Sequence, residues 1–161
     1  PFEILRDEHW VLIRLFALHQ ESLLSQDWEG ARRMLERYCG LMQRHIEIEE
    51  RFLVAPRETG MVGMRWPGEV YRSEHQRIMQ RLERIAERVA RGGLRRVRPS
   101  GLIALLDQER ALKHLIEQHH HREEVALFNE MRRALPADTR AALGRALDTY
   151  QGVAGTVPAP L

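Results

Sequence analysis

The sequence predicts an all-α protein, an up-and-down antiparallel four-helix bundle with a short extra helix at its C-terminal end. Three observations carry this. Apolar residues recur at the 3.6-residue helical period through most of the chain. The strict alternation of a half-buried strand is almost absent. Clusters of glycine and proline divide the pattern into four long amphipathic segments with mostly short connections, which favour antiparallel neighbours. With 161 residues, 43% of them apolar and 30% charged, the chain has the size and balance of one soluble globular domain. The domain is expected to span residues 1–151, leaving 152–161 as a loose tail.

The first helix is expected from about Glu3 to Ser25, with Leu5, His9, Leu12, Ile13, Phe16 and Leu23 on one stripe. The second runs from about Trp28 to Val54, striped by Met34, Tyr38, Leu41, Met42, His45, Glu49, Phe52 and Leu53. Pro56, Gly60, Gly63 and Pro67 break the chain into a loop, from Ala55 to Pro67, that is placed to control access to a bundle interior. Pro67 suits the first position of a third helix, whose inward stripe is Tyr71, His75, Ile78, Met79, Leu82, Ile85 and Val89 up to Arg91. Gly92 and Gly93 then stop it. Ser100 is the expected N-cap of a fourth helix to Leu135, striped by Leu102, Leu105, Leu112, Ile116, His119, Glu123, Leu127 and Met131. Pro136 opens a short fifth helix to about Tyr150.

Charge excludes little but directs expectation. The formal net charge is +2, and opposite signs alternate along predicted helix faces, as in Arg81, Glu83, Arg84, Glu87 and Arg88. That is a solvated face laced by i,i+3 and i,i+4 pairs. The basic cluster Arg91, Arg95, Arg96 and Arg98 has no aromatic residues or nucleic-acid motif beside it, so a linker is expected there and no nucleic-acid partner. No apolar run approaches the ~20 residues that cross a bilayer. The single cysteine, Cys39, and a start without a signal-peptide pattern give the cytoplasm as the expected compartment.

The apolar stripes contain intruders. His9, His45, His75 and His119 each lie on the core-facing side of a different helix, and Glu49 and Glu123 follow two of them by four residues. Residues i and i+4 share a helix face, so each His-x-x-x-Glu unit aims both side chains the same way. His9 to Ser25, Glu29 to His45 and His75 to Arg91 each span 16 residues, and Leu102 to His119 spans 17. At a rise of ~1.5 Å per residue the four histidines then share one layer, ~24 Å from the turns. The halves also repeat: Arg6-Asp-Glu-His9 matches Arg72-Ser-Glu-His75, and His45-x-x-x-Glu49-Glu50 matches His119-x-x-x-Glu123-Glu124.

Two buried carboxylates without partners cost several kcal/mol each unless they take up protons or meet cations. Imidazole and carboxylate together suit iron, zinc, copper or nickel, and a mixed His/Glu dimetal centre favours iron or manganese. Glu49 and Glu123 are expected to bridge two ions, His9 with His45 on one and His75 with His119 on the other. Positions stay open for solvent, an oxo or hydroxo bridge, or a diatomic gas. A ferritin-like centre needs two Glu-x-x-His units and two further glutamates; only Glu117-x-x-His120 has that spacing. His120 with Glu124 is an alternative register to His119 with Glu123, and the second is preferred because its stripe continues and matches the repeat. His19, His114 and His121 fall off the layer. Tyr71, a turn before His75, can donate into the site or simply pack in the core.

At these residues the sequence resembles the hemerythrin-like, or HHE cation-binding, family, over roughly Ile4 to Leu135. The resemblance implies a four-helix bundle holding two non-haem iron ions, ligated by histidines and bridged by two carboxylates. It further implies a small diatomic ligand, dioxygen or nitric oxide, in sensing, scavenging or the response to oxidative and nitrosative stress. A di-iron redox enzyme, or an iron donor that repairs damaged iron–sulfur clusters, is the alternative it offers. Met79 stands where oxygen carriers of this family have a further histidine, which groups the chain with the four-histidine branch.

Overall fold

The apolar stripes fold as helices in a computed structural model that describes residues 1–58, 65–91 and 98–154. In chain order these are α1 (Phe2–Leu24), α2 (Trp28–Glu49), α3 (Ala55–Glu58), α4 (Gly68–Arg91), α5 (Pro99–Arg122), α6 (Phe128–Ala134) and α7 (Ala137–Ala154). Two π-helical segments, Glu50–Val54 and Glu123–Leu127, join α2 to α3 and α5 to α6 without a break. Four long helical arms therefore result, α1 and α2 forming one hairpin and α4 and α5 the other. α2 packs on α4 to join them, and α7 lies across α1 and α2. No strand occurs among the described residues, and no helix among them is long and apolar enough to cross a membrane.

The ends of the helices show where local chemistry acts. The α1–α2 turn is closed by Gln26 in the left-handed region (φ 59°). Asp27 then caps α2, its carboxylate accepting from the Gly30 N–H at 2.9 Å. A side chain at position 30 would collide with that carboxylate, since a Cβ there would lie 2.0 Å from Asp27 Oδ2. The expected cap at Ser100 is corrected: Arg98 is the extended residue before α5, and Pro99 takes the first turn, where its missing N–H is no loss. The loop expected from Ala55 begins later, because α3 continues the second arm to Glu58. α7 runs from Ala137 through Ala154, past the end expected near Tyr150. The stop at Gly92 and Gly93, the linker arginines Arg95 and Arg96, the rest of the proposed access loop and the tail beyond Ala154 lie outside the described residues.

The core is divided in two. One apolar cluster gathers Leu12 to Leu23, Ala31 to Ile46, Ile78 to Val89 and Leu105 to Ile116 from the four arms. The second collects Phe2, Leu5, Ile48, Phe52, Leu53, Tyr71, Leu127, Phe128, Met131 and, from α7, Leu143 and Leu147. The histidine layer lies between them. The π segments serve this division. Their i→i+5 bonds, Ala55 N–H to Glu50 O and Phe128 N–H to Glu123 O, turn each residue by about 80° instead of 100°. Three consecutive side chains can then face inward, and Phe52-Leu53-Val54 and Ala126-Leu127-Phe128 are all buried.

A second polar group is buried in the first cluster. His19, read from sequence as off the layer, donates from Nδ1 to the Ala31 carbonyl (2.7 Å), and its Nε2 is hydrogen-bonded to Glu109 Oε1 (2.8 Å). Gln20 donates to the other Glu109 oxygen (3.1 Å). This pins α1 to both α2 and α5. Glu109→Ala is expected to destabilise the fold by about 3 kcal/mol or more, as read by urea denaturation. A loss below about 1 kcal/mol would show the pair to be dispensable.

Candidate metal centre

The layer is assembled from four arms at one level. His9 comes from α1, His45 and Glu49 from α2, His75 from α4, and His119 from α5, with Glu123 beginning the second π segment. All six are buried and close together, as the helical spacing required. His119, the preferred register, is buried in the layer with Glu123, and His120 is buried there as well. The arms hold five histidines there, not four. His114 and His121 are exposed, as expected. Met79 lines a groove between α2 and α4 with Cys39, Gln43 and Ile46, and Tyr71 lies fully buried in the second apolar cluster.

Two groups of ligand atoms form, each with its members within 4.8 Å of one another: His9, His45, His120 and Glu123, and Glu49, His75, His119 and Glu123. Glu123 belongs to both groups, and Glu49, a member of the second, also approaches His45 of the first. Glu49 puts Oε1 3.3 Å from His45 Nε2 and Oε2 3.5 Å from His75 Nε2. Glu123 puts Oε2 3.5 Å from His9 Nε2, and Oε1 3.0 Å from His119 Nε2 and 3.7 Å from His75 Nε2. None of these approaches has hydrogen-bond geometry, and all four Nε2 atoms and all four carboxylate oxygens are buried without a hydrogen-bond partner. With metal–ligand bonds of about 2.1 Å, neighbouring ligand atoms sit about 3.0 Å apart around an octahedral ion and about 3.4 Å around a tetrahedral one. The observed separations match those edges, so the residues fit a metal.

The outer face of each ring is also fixed. Nδ1–H of His45 donates to Glu8 (2.8 Å), of His119 to Glu74 (3.0 Å), of His9 to Glu124 (2.9 Å) and of His75 to Glu50 (3.1 Å). Each bond sets the tautomer that turns a bare Nε2 inward and makes it more basic. The pattern follows the internal repeat. Glu8 and Glu74, each just before a layer histidine, hold the partner ring in their own hairpin, and Glu50 and Glu124, each just after a layer carboxylate, hold a ring of the other hairpin. The smaller rotation per residue in the wider π turns lets consecutive glutamates serve the same layer. From the sequence, Glu50 and Glu124 belong to the repeated motif, Glu124 also as the alternative partner of His120, but none of the four shows this supporting role there, although the recurring Glu-His and Glu-Glu doublets carry the signal.

Six carboxylates, from Glu8, Glu49, Glu50, Glu74, Glu123 and Glu124, face two guanidiniums, Arg72 near Glu50 (3.4 Å) and Arg122 on Glu74. With neutral imidazoles these side chains, counted among the described residues, keep a net negative charge, which favours a bound cation. Without metal, protons take its place. Burial alone would lower the pKa of His45, but Glu49, Glu8 and Glu123 outweigh it and raise it to about 9. Burial of His75 is likewise overcome by Glu123 and Glu49, raising it to about 10. His119 is raised against its burial by Glu123 and Glu74. His9 falls to about 3 through burial and the neighbouring His45 charge. Burial and the charge of Glu123 push the Glu49 carboxyl up, whereas His119, His75 and His9 hold Glu123 down despite its burial.

A family model described as the hemerythrin HHE cation binding domain matches residues 1–94, more than half of the chain. That span takes in His9, His45, Glu49 and His75; His119, His120 and Glu123 lie beyond it. Comparison with curated proteins and with solved structures gives no match.

Two outcomes follow. Ligation needs neutral imidazoles, so metal must displace protons from His45, His75 and His119. Apparent affinity should keep rising with pH from about 6 to about 9, with proton release measurable in weakly buffered solution. A plateau above the ordinary histidine pKa near 6.5 would contradict this. Glu8→Gln or Glu74→Gln should weaken metal binding by about 10- to 100-fold in a chelator competition; unchanged affinity would remove these glutamates from the account.

Proposed function

Because the chain belongs to the hemerythrin HHE cation-binding family, we propose that its His/Glu layer holds two non-haem iron ions and presents them to dioxygen or nitric oxide. Sensing, scavenging or defence against oxidative and nitrosative stress is the role that fits. One observation carries the reading: Glu49 and Glu123 each direct one oxygen to histidines of the His9–His45 side and the other to histidines of the His75–His119 side. A carboxylate so placed serves a pair of ions better than one. The donor set, imidazole with carboxylate, suits iron and manganese and accommodates zinc.

When bound, the irons supply electrons and open coordination positions for the gas. The chain does the rest. Its carboxylates neutralise and bridge, its Nε2 atoms ligate, and the glutamates behind them keep the rings from rotating. The apolar clusters on both sides keep bulk water from the layer, which strengthens every electrostatic contact within it.

The test is the absorption spectrum of anaerobically iron-loaded protein, recorded before and after exposure to oxygen and, separately, to nitric oxide. New bands are expected with at least one gas. Iron-loaded protein whose spectrum responds to neither would contradict the gas-binding role. Glu123→Ala, which removes contacts to both sides, should reduce iron retained after gel filtration by about tenfold or more.

A further inference from the structure

α1 carries large apolar residues on its outer face as well as its inner one. Its buried residues, Leu5, Leu12, Phe16 and Leu23 among them, follow one side of the helix. At about 100° per residue the opposite side carries Trp10, Arg14, Ala17, Glu21 and Leu24, all half-buried or exposed. Trp10 is 69% exposed and Leu24 65%, the most open large apolar side chains among the described residues. The outer residues of α4, by contrast, are chiefly Gln, Arg and Glu, such as Gln80, Glu83 and Arg84. A third open side chain, Ile103 (61%), stands on α5 beside α1. Gln20 bonds Glu109 across these antiparallel arms, so four residues further on Leu24 comes level with Leu105, close to Ile103. Single exposed apolar residues need no account, but three on the face of one helix pair mark a contact surface.

The α1 stripe is complementary to itself. Trp10 and Leu24 each lie seven residues from Ala17, and Arg14 and Glu21, of opposite charge, lie three and four residues from it on either side. Two such stripes laid antiparallel about a two-fold axis at Ala17 bring Trp10 of each copy to Leu24 of the other. Arg14 of each then comes level with Gln20 of the other, one residue from Glu21. Within one chain Arg14 already reaches Glu21 across two turns (2.9 Å), so the same pairing can be made across the axis. The small Ala17 at the crossing lets the helix axes approach to about 8 Å. A different protein would have to present both apolar ends and both charges in reverse order, whereas a second copy has them by symmetry. The size is also adequate. α1 has 23 residues and is therefore ~35 Å long. Over the ~20 Å width of two packed helices that gives ~700 Å², close to the ~800 Å² that each partner contributes to a standard interface.

We propose that the outer face of α1 is the interface of a homodimer, in which two copies of this chain meet through antiparallel α1 helices about a two-fold axis at Ala17. His9 points from the opposite side of α1 into its own bundle, so the proposal does not depend on what the histidine layer binds.

Sedimentation equilibrium of the full chain between about 1 and about 100 µM tests it. The unaltered chain is expected to reach twice the monomer mass as concentration rises. Trp10→Glu and Leu24→Glu, both at exposed positions, should each raise the dissociation constant about thirtyfold or more without changing the circular dichroism. Should Trp10→Glu fail to fold, Leu24→Glu decides the matter alone. Gln43→Ala, at an exposed position of α2, should leave the constant unchanged. Arg14→Glu should weaken association about tenfold, and adding Glu21→Arg to it should restore association. A chain that stays monomeric throughout, a dimer that the folded Trp10 and Leu24 variants leave intact, or a double reversal no better than Arg14→Glu alone would overturn the proposal.

Discussion

Everything in this bundle is arranged around a buried excess of negative charge. Glu49 and Glu123 sit fully enclosed, their oxygens turned toward ring nitrogens that offer no hydrogen-bond geometry. Burial of that kind is tolerated only if something positive shares it. In the metal-free state protons do so, through His45, His75 and His119 and through Glu49, whose pKa values all rise. A bound cation would do so too, and would engage the inward atoms that lack hydrogen-bond partners. Metal and protons therefore compete for one set of atoms, which makes the layer a pH-dependent binder by construction.

The economy of the design lies in repetition. One hairpin supplies a helix-borne Glu-His doublet and a His-x-x-x-Glu-Glu run, and the second hairpin supplies the same. Placed face to face, the first glutamate of each run spans the ligand groups and the second supports a ring across the interface. The π segments are part of this logic, since the wider turn keeps consecutive glutamates at the layer and then buries three apolar residues in a row.

Much of this was legible in the sequence, for a clear reason. Helical periodicity converts spacing directly into direction, so four histidines and two glutamates on apolar stripes had to converge once the bundle formed. Equal arm lengths placed them at one depth. What escaped was whatever depends on a small rotation or on contacts between helices. A regular α-helix puts His119 and His120 about 100° apart, so they read as alternatives, whereas the bundle admits both. The supporting role of Glu8, Glu50, Glu74 and Glu124 escaped because each contacts a ring on a different helix, a pairing that spacing along one helix cannot reveal. Glu109 and His19 were missed in the same way, their partnership spanning α1 and α5.

The most direct measurement is anomalous diffraction at the iron edge from crystals of iron-loaded protein. The account predicts two peaks about 3–4 Å apart, lying between Glu49 and Glu123, one beside His9 and His45 and the other beside His75 and His119. A single peak, or metal located away from these residues, would contradict it.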